Sequence, residues 1–288
     1  VLKAFFDSRP SVLTKELSLM GRFTRDGYTE GRESKKAFST MGQEMGGYSI
    51  SDIYRKETNF EMSLNYKKDL GDSWNINAFI AGNRMYSYYK AIENEAAQLV
   101  IPELYTISNA VPGSITYDSF WSEKAIYSVY GMASLSFKDM IYLDLTARND
   151  WSSTLPFDSR SYFYPSASLS MLVSEMITMP TWLTFTKLRA GVAQVGNDTN
   201  PYSLYQYFST DEDWGSAKQM YMGGTLRNSN LVPEKATSME VGADFYFLKN
   251  RLGLEATYYI VQNRNQVLSI SLPVESGANS KMINIYQN

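Results

Sequence analysis

Neither cysteine nor histidine occurs anywhere in the 288 residues of this chain. The two absences remove structural disulfides, Cys/His zinc sites, thiolate nucleophiles and histidine-based triads, and with them most nucleophilic and metal-assisted chemistry. Surplus positive charge is missing too: 27 Lys and Arg stand against 30 Asp and Glu, a formal net charge of −3. Nucleic acid calls for a concentrated basic patch, so no nucleic-acid partner is expected. No run approaches the roughly 18 consecutive apolar residues that mark a transmembrane helix. The chain opens at Val1 without the charged and apolar regions of a signal peptide, and stops at Asn288 within what reads as a strand. It is therefore expected to be a piece of a longer protein, with targeting signals outside it.

What the chain has in excess is tyrosine. With 22 Tyr, 14 Phe and 5 Trp, aromatics make up 14% of the residues. A ring with a polar tip suits surfaces that are half wet and half greasy, such as sugar-binding faces, interfaces and membrane girdles. Composition does not choose among these.

Pattern narrows the choice, because alternation with a period of two dominates. Ile141, Leu143, Leu145 and Ala147 fall on one face of a strand, and Tyr142, Asp144, Thr146, Arg148 and Asp150 on the other. The split recurs with Val241, Ala243, Phe245 and Phe247 against Glu240, Asp244 and Tyr246. It recurs again with Leu252, Leu254, Ala256 and Tyr258 against Glu255, Thr257 and Tyr259. Such segments run about 10–15 residues, roughly twice the usual soluble strand, whereas a tilted membrane crossing needs about 9–11.

Connector lengths supply a second test. Gly27 to Gly47 is long, Asp69 to Ser73 short, Ala91 to Glu123 long, and Lys138-Asp139 tight. Trp151 to Arg160 is medium, Glu175 to Leu183 shorter, Asn197 to Lys235 very long, and Lys249-Asn250 tight again. Long extracellular loops alternating with short periplasmic turns characterise outer-membrane barrels, and a soluble sandwich has no reason to keep that parity. Strands are thus expected near 14–26, 48–68, 73–90, 124–138, 140–150, 161–174, 184–196, 236–248 and 251–264. The fold class expected is all-β: a partial, antiparallel, up-and-down transmembrane β-barrel of about ten or eleven strands.

Four ordered motifs carry a family resemblance. They are YLDLTARNDWSST (Tyr142–Thr154), YFYPSASLSMLVSE (Tyr162–Glu175), KLRAGVAQVGN (Lys187–Asn197) and NLVPEKATSMEVGADFYFLKNRLGLEATYY (Asn230–Tyr259). Together they resemble the SusC/RagA family of TonB-dependent outer-membrane transporters. Met171-Leu172-Val173 departs from it, since the family usually carries a Trp-containing step there. The resemblance implies that residues 1–288 are part of a receptor β-barrel of about 22 strands, with the plug domain, signal peptide and remaining strands outside this chain. It further implies integral residence in the outer membrane of a Gram-negative bacterium and contact with its lipid. The implied partners are a SusD-like surface lipoprotein as lid and TonB with ExbB and ExbD, and the implied cargo an oligosaccharide or a peptide, with no catalysis. A passive porin-type barrel and a soluble all-β carbohydrate-binding or glycosidase domain are the rival readings.

Among individual residues, Tyr202, Tyr205, Tyr207, Phe208, Trp214 and Tyr221 crowd the longest loop. They are candidates for a platform touching substrate or lid, set against simple packing of the loop on its neighbours. Asp144, Arg148, Arg189, Asp244 and Glu255, with Lys187, are expected to face the lumen, in contact with a plug or neighbouring strand rather than with substrate. Asp211, Glu212 and Asp213 offer oxygen ligands to Ca²⁺, although contiguous acids in a polar loop are ordinarily just solvated. Otherwise no metal, cofactor or catalytic residue is expected.

Overall fold

The computed structural model describes residues 2–7, 11–210 and 214–285. Strands dominate: β1 (Leu2–Asp7), β2 (Ser11–Val12), β3 (Leu17–Lys36), β4 (Gly47–Leu70), β5 (Trp74–Ala96), β6 (Ile115–Phe137), β7 (Ile141–Ser152) and β8 (Ser161–Leu172). After a one-turn helix, α1 (Val173–Met176), come β9 (Leu183–Asn197), β10 (Phe208–Thr210), β11 (Met220–Met222) and β12 (Thr225–Leu226). The chain continues with β13 (Glu234–Phe247), β14 (Leu252–Arg264), β15 (Gln266–Ser271) and β16 (Ser280–Ile285). An 11-stranded sheet takes the order β1-β3-β4-β5-β6-β7-β8-β9-β13-β14, with β2 on β3. Successive long strands are therefore neighbours, the up-and-down topology read from the alternation. Among the described residues the path has two ends, β1 and β14, that do not pair.

Connections keep the expected parity with one exception: 173–182, expected to be shorter than the connection before it, has ten residues against the eight of 153–160, because the one-turn helix α1 is inserted there. Residues 37–46, 97–114, 153–160 and 198–233 join strands at one end, and 71–73, 138–140, 173–182 and 248–251 at the other. The turn after β6 holds Lys138 and Asp139 at φ of 50° and 55°, with the Met140 amide donating to the Phe137 carbonyl at 3.0 Å. That is the left-handed pair a tight hairpin needs to match strand twist, built here without glycine.

Three strands outrun the expectation. β3 continues to Lys36, β5 to Ala96, and β6 begins at Ile115, where loops were expected from Gly27 and across Ala91–Glu123. A segment such as GYTEGRESKK has no apolar face to mark it, and a ladder with water on both sides needs none.

Two compact units divide the chain. The first comprises Arg22–Phe60 and Met85–Ala125 with Val1–Phe6. Cross-strand pairs hold it: Lys36 meets Glu95 at 3.5 Å, and Tyr54 packs edge-on against Tyr88. Leu99 and Ala96 are fully buried, and the Asn109 side-chain amide donates to the carbonyls of Ile101 and Leu104.

The second unit, Asp7–Gly21, Glu61–Arg84 and Ile126–Asn288, contains the wall from β6 to β14. Directly opposed residues share a face, so register sorts the side chains. One face carries the row Leu135–Leu143–Leu169–Ala190–Val241–Tyr258 and the row Ala133–Leu145–Ala167–Val192–Met239–Ile260. The other carries Ser134–Asp144–Ser168–Gly191–Glu240–Tyr259. Burial runs opposite to a soluble protein: Met239 and Val241 are 57% and 55% exposed, while Asp150 and Asp244 are 4% and 8% exposed. Aromatic rings bound the apolar face. Trp74 packs on Phe137 and Trp182 on Phe247 at the short-turn end, with Tyr127, Trp151 and Phe163 toward the loop end. From Ile141 to Trp151 the strand rises about 33 Å. At the usual tilt of about 45° that is roughly 23 Å of height, against the ~25 Å apolar band of an outer-membrane barrel.

Candidate functional site

Asp144, Arg148, Arg189, Asp244 and Glu255 all lie on the polar face of the wall. Arg189 on β9 reaches two other strands. Its Nη1 donates to both carboxylate oxygens of Asp244 on β13, at 2.8 and 2.7 Å, and its Nη2 to Thr257 Oγ1 on β14 at 2.7 Å. One guanidinium therefore ties three strands. Gly242 makes this possible: it opposes Arg189 in the ladder, and a Cβ there would stand 2.5 Å from Arg189 Nε.

A second cluster surrounds Arg148. Its Nε donates to Asp150 Oδ1 at 2.8 Å and its Nη2 to Ser128 Oγ at 3.1 Å, while the guanidinium lies 5.1 Å from the centre of the Tyr130 ring. Tyr130 in turn donates its hydroxyl to Glu61 at 2.5 Å, and Tyr164 donates to Asp150 Oδ2 at 2.6 Å. Ser134 donates to Asp144, and Tyr246 to Glu255 at 3.0 Å. All five candidates thus engage side chains of their own or neighbouring strands. Charge-assisted bonds of this kind keep charged groups tolerable where water is partly excluded.

At the loop end, polar ties anchor the segment 198–233. Ser152 and Thr154, both nearly inaccessible, donate to Asp198 Oδ2 at 2.5 and 3.2 Å. Ser159 donates to the carbonyl of the fully buried Leu231. Asn284 on β16 accepts from the Val232 amide and donates to the carbonyls of Val232 and Asn265. Glu234 accepts from the Val267 amide and from Asn197. The base of the loop is held from four sides.

The loop's outer part differs. β10 and β11 form a small hairpin in which Phe208 opposes Met222 and Ser209 opposes Tyr221. All six aromatic candidates, Tyr202, Tyr205, Tyr207, Phe208, Trp214 and Tyr221, stand exposed, Trp214 at 78% and Tyr205 at 71%. Tyr207 is anchored locally, since its hydroxyl accepts from Arg227 Nη2 at 3.2 Å. Tyr202 adopts a left-handed φ of 60°. Asp211, Glu212 and Asp213 lie outside the described residues, and among the described residues no cluster of three potential metal ligands occurs.

Sequence reasoning did not single out Glu61, Tyr130, Asp198, Gly242 or Thr257. For Gly242 a signal existed, a glycine two residues before Asp244 in an otherwise bulky strand. Asp198 and Glu61 carried none, because their partners are distant in sequence.

Comparison with known proteins agrees with this geometry. Residues 12–288 match the family described as TonB dependent receptor-like, beta-barrel. TonB-dependent receptors P26 and P3 of Formosa agariphila are 26% and 27% identical over 84% and 85% of this chain. The chain spans 25% of the length of each. The RagAB peptide importer in its closed-closed state shares the fold with a TM-score of 0.83 at 19% identity, over 97% of this chain and 33% of that one. In the open-open state the TM-score is 0.80, over 96% and 31%.

Proposed function

This chain belongs to the TonB dependent receptor-like β-barrel family, and from that premise we propose that the protein carrying it imports a nutrient across the bacterial outer membrane. TonB, with ExbB and ExbD, energises the import from the periplasm. The observation that carries the reading is the wall from β6 to β14: exposed aliphatics on one face, partnered charges on the other, and the longest connection, 198–233, at the end opposite the tight turns 138–140 and 248–251. The apolar face meets lipid. The polar face lines the lumen, where Asp144, Arg148, Arg189, Asp244 and Glu255 tie strands together and hydrate the path rather than react.

The cargo is an oligosaccharide, held against the exposed rings of the 198–233 loop, with Trp214 and Tyr205 foremost because they are the most accessible of the six. A SusD-like surface lipoprotein covers these loops as a lid. A peptide is the second reading, favoured by the fold shared with the RagAB peptide importer.

The test is uptake of labelled oligosaccharides and peptides by cells expressing the full reading frame, with TonB intact or deleted. TonB-dependent uptake of a glycan is expected, and Trp214→Ala with Tyr205→Ala is expected to lower it about tenfold at unchanged barrel abundance, the loss of stacking energy at two rings. Uptake that ignores TonB would instead identify a passive pore.

A further inference from the structure

The apolar face of the wall is not smooth. A groove of about 470 Å³ runs between Leu143 and Leu169 on one bank and Tyr258 and Ile260 on the other, with Ala167 and Ala190 in its floor. The floor is low because each alanine sits in a row between longer neighbours: Ala167 between Leu145 and Val192, Ala190 between Leu169 and Val241.

Toward the loop end, the same face changes chemistry. Above Met239 and Ile260 comes a row of hydrogen-bonding side chains, Gln194, Thr237 and Gln262. The next row places Lys235 directly opposite Arg264. Strand parity puts both on the face of Met239 and Val241, and four residues of β13 separate Lys235 from the groove by about 14 Å. Among the described residues no carboxylate pairs with either cation. Glu234, the nearest acid in sequence, points to the other face and is taken up by Asn197 and the Val267 amide.

One cation at this height is explained by a side chain reaching for the interface. Two are not. Like charges directly opposed on a ladder, with Cβ atoms about 5 Å apart, destabilise the pair unless an anion lies between them. Long connections mark this end as extracellular, so the anion would belong to the outer leaflet.

We propose that Lys235, Arg264 and the groove beneath them bind a lipid whose headgroup carries a phosphate monoester, of the lipid A class, with an acyl chain along Ala167 and Ala190. A monoester carries about −1.5 to −2 charges on three oxygens, which suits two converging cations. A diester or a zwitterionic headgroup supplies less charge. Alanines rather than leucines in the floor leave the width of a hydrocarbon chain. The site requires the outer-membrane setting and is independent of import.

The test uses the full-length protein extracted from outer membranes in mild detergent, with bound lipid counted by native mass spectrometry. Lipid A, phosphatidylglycerol and phosphatidylethanolamine are titrated separately. One lipid A per barrel is expected to bind at least about tenfold more tightly than phosphatidylglycerol, as two charge-assisted contacts require. Lys235→Gln with Arg264→Gln should lose about that factor, while Lys235→Arg with Arg264→Lys keeps it. Ala190→Leu, which fills the groove and leaves both cations, should weaken binding with unchanged heat-modifiable mobility of the barrel. Equal binding by the double Gln variant, or phosphatidylglycerol binding as tightly as lipid A, would overturn the proposal. TonB dependence of uptake, measured in parallel, reports on import separately.

Discussion

The two faces of the β6–β14 wall share one backbone and one hydrogen-bond ladder, yet they solve opposite problems. On the polar face, Arg189, Arg148, Asp144, Asp150, Asp244 and Glu255 all have partners, and Asp150 and Asp244 are among the least accessible side chains. On the apolar face, Leu145, Val192, Met239 and Val241 are left exposed and need none. The difference teaches where each solvent lies. A soluble sandwich buries the leucines and leaves the arginines in water, and this wall does the reverse. Changes that cross from one face's chemistry to the other's should therefore cost most.

The largest effect is expected from Val192→Arg, in the row Leu145–Ala167–Val192–Met239 near mid-height of the apolar face. A cation there should cost about 2–4 kcal/mol, measured as a shift of the urea refolding midpoint of the full-length protein in lipid vesicles. Ser168→Arg, one residue from Ala167 but on the polar face, should change stability by less than about 0.5 kcal/mol. Equal losses at the two positions would abolish the distinction between the faces.

Next comes the three-strand tie. Arg189→Met leaves Asp244 inaccessible and without its cation, at a cost of about 1–3 kcal/mol in the same assay. Adding Asp244→Asn should recover part of that loss, because the stranded charge is gone, so the two changes will not add. A smaller change is Tyr164→Phe, which removes one bond to Asp150 while Arg148 still compensates the charge. About 1 kcal/mol is expected. Smallest is Asp139→Gly, in the turn belonging to neither face. Relieving a φ of 55° should stabilise the hairpin by about 0.5–1 kcal/mol. A loss instead would show that the Asp139 side chain matters more than its backbone.

Legibility in the sequence followed the same division. β7, β9 and β14 were expected at 140–150, 184–196 and 251–264 and occur at Ile141–Ser152, Leu183–Asn197 and Leu252–Arg264. Lipid on one side imposes strict alternation, and alternation can be read. The upper parts of β3, β5 and β6 were missed, because water on both sides imposes no pattern. In the 198–233 loop the aromatics were legible as a group, since composition betrays them. The ties at its base were not, because Asp198 with Ser152, and Asn284 with Val232, join residues far apart in the chain.

By itself, the sequence determined which side chains share a face, the parity of loops and turns, and the family motifs from Tyr142 to Tyr259. These follow from the period of two and from local turn chemistry, which a linear string records. Only the tertiary structure decided who pairs with whom. Lys187 lies directly opposite Asp244 in the ladder, so sequence and register alone would favour that pair. The ion pair goes to Arg189 instead, which reaches diagonally across the open surface of Gly242 to Asp244 and on to Thr257. That choice depends on the space left by a missing Cβ and on the placement of a third strand, and neither is written in the residues near Arg189.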